Sequence, residues 1–93
     1  MSIRDALTLK DYSATLPDGT AFTLRRPSAL DLVEAVEFSK TSPERMYAWL
    51  VLRHLMEDGA PVFDSVDSVL NADGLVVAEI ASVAESLYSE GRS

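Results

Sequence analysis

The chain has no cysteine, so it forms no disulfide and offers no thiolate to a metal or to a substrate. It has one histidine, His54. A metal site would therefore depend on carboxylates for its other ligands, and no His/Asp spacing suggests one. Cations are also scarce: eight Lys and Arg stand against fifteen Asp and Glu, for a formal charge of -7. Phosphate contacts need clustered basic side chains, so nucleic acid is not an expected partner. The longest apolar run, residues 46–52, is too short to cross a bilayer. The opening "MSIRDALTLKDYSAT" lacks the apolar segment of a secretory signal. Membrane association is therefore not expected either.

What remains is ordinary for a soluble folded protein. Apolar residues make up 47% of the 93 and charged residues 25%, which argues against wholesale disorder. The length suits one domain with one core, expected to span residues 1–93. An acidic balance favours a protein partner with a basic or apolar surface. No internal repeat, low-complexity tract or linker interrupts the sequence.

Residues 1–8 read as a flexible terminus. From Leu9 the pattern alternates, with Tyr12, Ala14 and Leu16 on one face. "LPDGT" supplies a turn, and Phe22 and Leu24 alternate after it, so residues 9–26 read as a β-hairpin. Residues 27–90 read as helical. Pro27 ends the strand, Ser28 is suited to cap a helix, and Asp31 puts negative charge in its first turn. Ala29, Leu32, Val33 and Val36 then fall on one helical face, the expected inward face.

"TSPER" restarts a second helix, expected to run to about Glu57 and to be stopped by "DGAP". "FDSVDSVL" reads as a short helical turn pointing Val66, Val69 and Leu70 inward. After "NADG", a last helix carries Val76, Ile80, Val83 and Leu87 along one stripe. The fold class is α+β, mainly helical: an N-terminal β-hairpin followed by three or four helices.

Catalytic patterns are missing. No serine sits in a G-x-S-x-G turn, and no paired carboxylates or phosphate-binding loop are evident, so an enzyme is not expected. "NADG" has the look of a calcium loop, but the flanking ligand positions fall on Val69 and Ile80, which removes the required charge. "DSV" at residues 64–66 resembles the attachment motif of acyl carrier proteins. Only about six helix-compatible residues follow Ser65, however, and a leading hairpin is wrong for that fold. No catalytic, cofactor or metal residue is assigned. His54 is expected at the surface or its boundary.

The candidate residues are instead partner-binding ones. Arg25 and Arg26 are adjacent at the strand-to-helix corner and should point to opposite sides. One is expected to pair with Asp31 or Glu34, and one to present a fork to a partner carboxylate. In the second helix, Tyr47, Ala48, Val51, Leu52 and Leu55 make one broad core face. Trp49 and Met56 lie beside that face, and Met46 and Leu50 lie beyond them. This surplus apolar surface is expected either to be wrapped by neighbours or to form a patch for self-association or for a partner.

The order of these elements resembles the small tail assembly chaperones of long-tailed bacteriophages. The resemblance is carried by "LPDGTAFTLRRPSALDLVEA" (residues 16–35), with its Asp-Gly turn, alternating strand, Arg-Pro corner and acidic helix. "EDGAPV" at residues 57–62 and the final amphipathic helix fit as well. The resemblance implies a non-enzymatic protein that binds the long, apolar-rich tape measure protein and helps recruit tail tube subunits. It would act in the cytoplasm of the infected bacterium and be absent from the mature virion. The ending "SEGRS" would correspond to the short form of a protein that some relatives also make in a longer, frameshifted version. The competing expectation is a structural phage protein, a tail-completion or head–tail joining component.

Overall fold

A five-residue turn sets the first pairing of the chain. In this computed structural model, which describes residues 2–90, Gly19 adopts φ +92°, where glycine has no steric penalty. Its N–H donates to the Leu16 carbonyl at 2.9 Å, and Thr20 N–H donates to Asp18 Oδ1 at 2.8 Å. Strands β1 (Asp11–Thr15) and β2 (Ala21–Arg25) run antiparallel from it, with Tyr12 opposite Leu24 and Ala14 opposite Phe22. Period-2 alternation puts these four on one face, where Leu24 is fully buried. Upstream, the stretch expected to be flexible contains a short helix, α1 (Ile3–Leu7), capped by the Ser2 hydroxyl and burying none of its residues. Residue 1 and residues 91–93, which belong to the expected 1–93 domain and its "SEGRS" ending, lie outside the described residues.

Helix α2 (Ala29–Thr41) starts where the sequence signals it. Ser28 Oγ accepts from Asp31 N–H, and Asp31 returns the bond to Ser28 N–H, completing a capping box. The expected inward face is turned outward: Ala29 is exposed, and Leu32, Val33 and Val36 are 47%, 57% and 48% exposed. Asp31 and Ala35 are the buried residues, with Phe38 half-buried on the same side. The chain thus buries a short polar-centred stripe and leaves the longer apolar one in solvent.

A 3-10 turn (Pro43–Arg45) leads into helix α3 (Met46–His54), which ends three residues before the expected stop. "DGAP" is a hairpin rather than a stop signal. Asp58 and Gly59 adopt φ of 53° and 79°, the paired positive values of a two-residue hairpin turn. That turn demands extended flanks, so β3 (Leu55–Glu57) and β4 (Ala60–Pro61) form instead. Leu55 pairs with Leu24 and Met56 with Thr23, giving a four-stranded antiparallel sheet in the order β1-β2-β3-β4.

Helix α4 (Val66–Leu70) is capped by Ser65 and buries Val69, with Val66 half-buried and Leu70, expected inward, exposed. Asp73 Oδ1 accepts from the N–H groups of Leu75 and Val76 and caps helix α5 (Gly74–Glu90). That helix buries Val77, Ile80, Ala81, Ala84 and Leu87. The expected stripe holds at Ile80 and Leu87, with Val83 half-buried, while Val77 rather than Val76 opens it. The architecture is a mainly helical α+β fold with an N-terminal hairpin, and α3 lies at its centre, against α5, α4, α2 and the sheet.

Candidate functional site

The corner between β2 and α2 gathers most of the buried polar groups. Asp31 has a side chain only 1% exposed, because the capping box turns it back towards the strand. Its Oδ2 accepts from Ser28 N–H at 2.8 Å and meets Arg25 Nη2 at 3.1 Å. Its Oδ1 meets Arg53 Nε at 3.1 Å and Nη2 at 3.0 Å. Arg53 also pairs with Glu34 and lies 5.4 Å from the centre of the Trp49 ring. Arg25 further donates to the Arg53 carbonyl at 3.3 Å. A cation there satisfies one of the free carbonyls at the end of α3 and complements the helix dipole.

Burial pushes the Asp31 carboxyl up, but the Ser28 N–H and the Arg25 and Arg53 guanidiniums outweigh it and hold the group below its usual value. The two arginines balance Asp31 and Glu34. This cluster is a neutral clasp joining α2, β2 and α3.

His54 closes the same clasp from below. Expected near the surface, it is fully buried. Its Nδ1 lies 2.8 Å from the Arg25 carbonyl, which can only accept, so Nδ1 carries the proton. Nε2 then accepts from the Tyr88 hydroxyl. Burial pushes the imidazole below its ordinary value, against the opposing effects of the Arg25 carbonyl and Asp31. Burial, followed by the nearby Asp31 charge, pushes the Tyr88 hydroxyl up. Both ring nitrogens are satisfied by a neutral histidine, which makes it a structural pin between α3 and α5.

The expected partner-binding residues fall in three places. Arg25 is committed to the clasp. Arg26 is exposed at the strand end, its N–H donating to the Lys10 carbonyl at 3.1 Å. Trp49 is 6% exposed and stacks on Phe38 with ring centres 5.9 Å apart, so it is a core residue and not part of a surface flank. Met56 lies half-buried on β3, between Thr23 and Pro61 in the sheet. The expected Trp49/Met56 helix flank therefore does not exist. Met46 and Leu50 are brought together, half-buried and buried, in the lining of a groove of about 560 Å³.

That groove exists because α2 and α5 each pack on α3 but scarcely touch each other. Ala35, Val36 and Ser39 form one wall, Met46, Tyr47 and Leu50 the floor and end, and Ala78, Ala81, Ser82 and Glu85 the other wall. Val36 belongs both to this wall and to the exposed stripe of α2, so the two form one apolar surface. Sequence reasoning missed the α2 side of it. The available signal was Asp31 itself: a carboxylate at the third position of a helix that directly follows two arginines faces back towards them, which turns Leu32, Val33 and Val36 away.

Among the described residues, no group of three or more His, Cys, Asp or Glu side chains is placed to hold a metal, and no helix is long and apolar enough to cross a membrane. The groove offers shape and apolar area, with Glu85 as the one charged side chain in its lining. No family model matches the chain, and no match was found among curated proteins or solved structures.

Proposed function

We propose that this chain is a non-enzymatic binding module, a phage tail assembly chaperone that covers apolar helical segments of the tape measure protein and helps recruit tail tube subunits. The single observation carrying this reading is the outward apolar stripe of α2, at Ala29, Leu32, Val33 and Val36. A helix that keeps its longest apolar face in solvent is suited to an amphipathic partner that cannot remain soluble alone. The net charge of -7 suits a protein that keeps a chaperone–client complex dispersed. The protein would act in the cytoplasm of the infected cell and leave before the virion is complete.

The test is co-expression with the tape measure protein of the same phage. The soluble fraction of the tape measure protein rises with the native chain and falls back when Val33 and Val36 are both replaced by Ser. An unchanged soluble fraction with and without the native chain refutes the reading. Detection of the chain in purified tails at stoichiometric amounts would favour the structural-component alternative.

A further inference from the structure

The groove between α2, α3 and α5 has a shape and charge that narrow the kind of partner it takes. Its α5 wall presents small side chains at Ala78, Ala81 and Ser82, and the stripe extends to Glu85 and Ser89. From Ala78 to Ser89 this wall runs about 16 Å, or three helical turns. Small residues let a second backbone approach closely, while Val36, Met46 and Tyr47 supply apolar contact from the facing side. Glu85 is the one charged residue in the lining, is exposed, and has no ion pair among the described residues.

We propose that this groove seats one amphipathic helix of a partner protein, its apolar stripe laid between α2 and α5 and a Lys or Arg on its flank set against Glu85. The inference rests on the binding-module reading above and specifies the chemistry of the client. A small-molecule ligand fits less well, since such sites rely on fixed inward polar groups. Here the Tyr88 hydroxyl is committed to His54, and no buried side-chain polar atom among the described residues lacks a partner. A second copy of the chain also fits less well. It carries the same charge of -7, and its exposed helix α1 is only five residues long, about 7.5 Å and half the length of the wall. Its longer exposed apolar helix, α2, already forms a wall of its own groove. A basic-flanked helix of three or more turns satisfies both the length and the charge.

The probes are synthetic peptides of about 18 residues: a leucine stripe flanked by lysines, the same stripe flanked by glutamates, and a lysine-rich scramble without the stripe. Binding to the native chain is read by fluorescence anisotropy, and the site by methyl and amide shifts in NMR. The lysine-flanked stripe binds, the scramble does not, and the shifts centre on Val36, Tyr47, Ala81 and Ser82. Glu85→Lys weakens the lysine-flanked peptide about fivefold and strengthens the glutamate-flanked one. Ser82→Trp, at an exposed position, fills the groove and abolishes binding of both while circular dichroism stays native.

Shifts centred elsewhere, equal binding of the scramble, or an unchanged flank preference in Glu85→Lys would each overturn the proposal. So would concentration-dependent self-association of the native chain that Ser82→Trp removes, which would assign the groove to a second copy. If Ser82→Trp fails to fold, the Glu85→Lys preference decides alone. If the native chain and Ser82→Trp solubilise the tape measure protein equally, the groove proposal falls and the chaperone reading stands. If the peptides dock as described but the tape measure protein gains no solubility, the groove stands and the chaperone reading falls.

Discussion

Replacing Asp31 by Asn should be the most damaging conservative change in this chain. The native carboxylate is buried, accepts a backbone N–H, and bridges Arg25 and Arg53. Removing one member of a buried ion pair typically costs about 3–5 kcal/mol. The two guanidiniums are each 29% exposed, so they recover part of their hydration when released. Asparagine can still accept from Ser28. The expected loss is therefore at the low end, about 3 kcal/mol, a large share of the roughly 5–15 kcal/mol that holds a domain together. For a chain of this size that corresponds to a drop in Tm of about 12–24 °C.

Arg25→Ala should cost less, about 1–2 kcal/mol, because Asp31 keeps Arg53 and Ser28. Arg26 is exposed at the strand end, so Arg26→Ala should cost no more than an exposed pair is worth, under about 1 kcal/mol. The assay is urea unfolding followed by circular dichroism, with m-values checked for constancy. The pH dependence adds an independent check. The folded-state value of Asp31 lies below the ordinary 3.8, so its contribution is complete above the unfolded value. It is lost as pH falls through the folded one, so native stability should drop on acidification below about pH 5 and Asp31→Asn should flatten that limb. Two results would refute the reasoning: an Asn variant within about 0.5 kcal/mol of native at neutral pH, or Arg26→Ala costing more than Arg25→Ala.

Two further predictions concern the rest of the frame. His54 has a depressed folded-state value, so its stabilisation is full above the ordinary 6.5 and declines as pH falls below it, by up to about 1.4 kcal/mol per pH unit. Unfolding midpoints measured from pH 7.5 to 5 should show that slope in the native chain and lose it in His54→Gln, and a native profile flat across this range would contradict the neutral, pinned imidazole. Gly59 has φ +79°, and a Cβ added there meets nothing within 4 Å, so Gly59→Ala should cost only the left-handed backbone penalty, about 1–2 kcal/mol in urea unfolding; a neutral effect would mean that the β3–β4 turn does not need its positive φ.

Much of this fold was legible because local signals and tertiary contacts agree. The hairpin at β1–β2 follows from alternation around an Asp-Gly turn, and the start of α2 follows from Ser28 and Asp31. The end of α3 was not legible in the same way. "LME" after His54 is compatible with a helix, and only its pairing with Thr23 and Leu24 on β2 makes it a strand. The Asp-Gly at residues 58–59 has the sequence of a helix stop but forms a second hairpin turn, because β3 and β4 pair across it. His54 was placed near the surface because its partners, Arg25 and Tyr88, are 29 and 34 residues away. Within the candidate site, Met46 and Leu50 were recognised as surplus apolar residues. Ala78, Ala81 and Ser82 were not, because small side chains give little signal until a facing helix fails to cover them.

The orientation of α2 connects the fold to its proposed use. Periodicity marks a stripe at Ala29, Leu32, Val33 and Val36 and points it inward, whereas the structure turns it outward. Facing inward, its three large aliphatics would each gain about 1.5–3 kcal/mol on full burial. They are about half exposed, so roughly 1 kcal/mol each, about 3 kcal/mol in all, is left ungained. The opposite side of the helix is fixed by an ionic clasp, a device whose desolvation cost often cancels its attraction. A sequence selected for stability alone would favour the apolar packing. On the chaperone reading proposed above, holding α2 by its polar side preserves that apolar area for a partner, and binding would recover what folding left ungained. Substitutions such as Val33→Ser should therefore leave the isolated chain nearly as stable while weakening client binding, whereas substitutions at Asp31 should do the reverse in proportion to how far α2 is released.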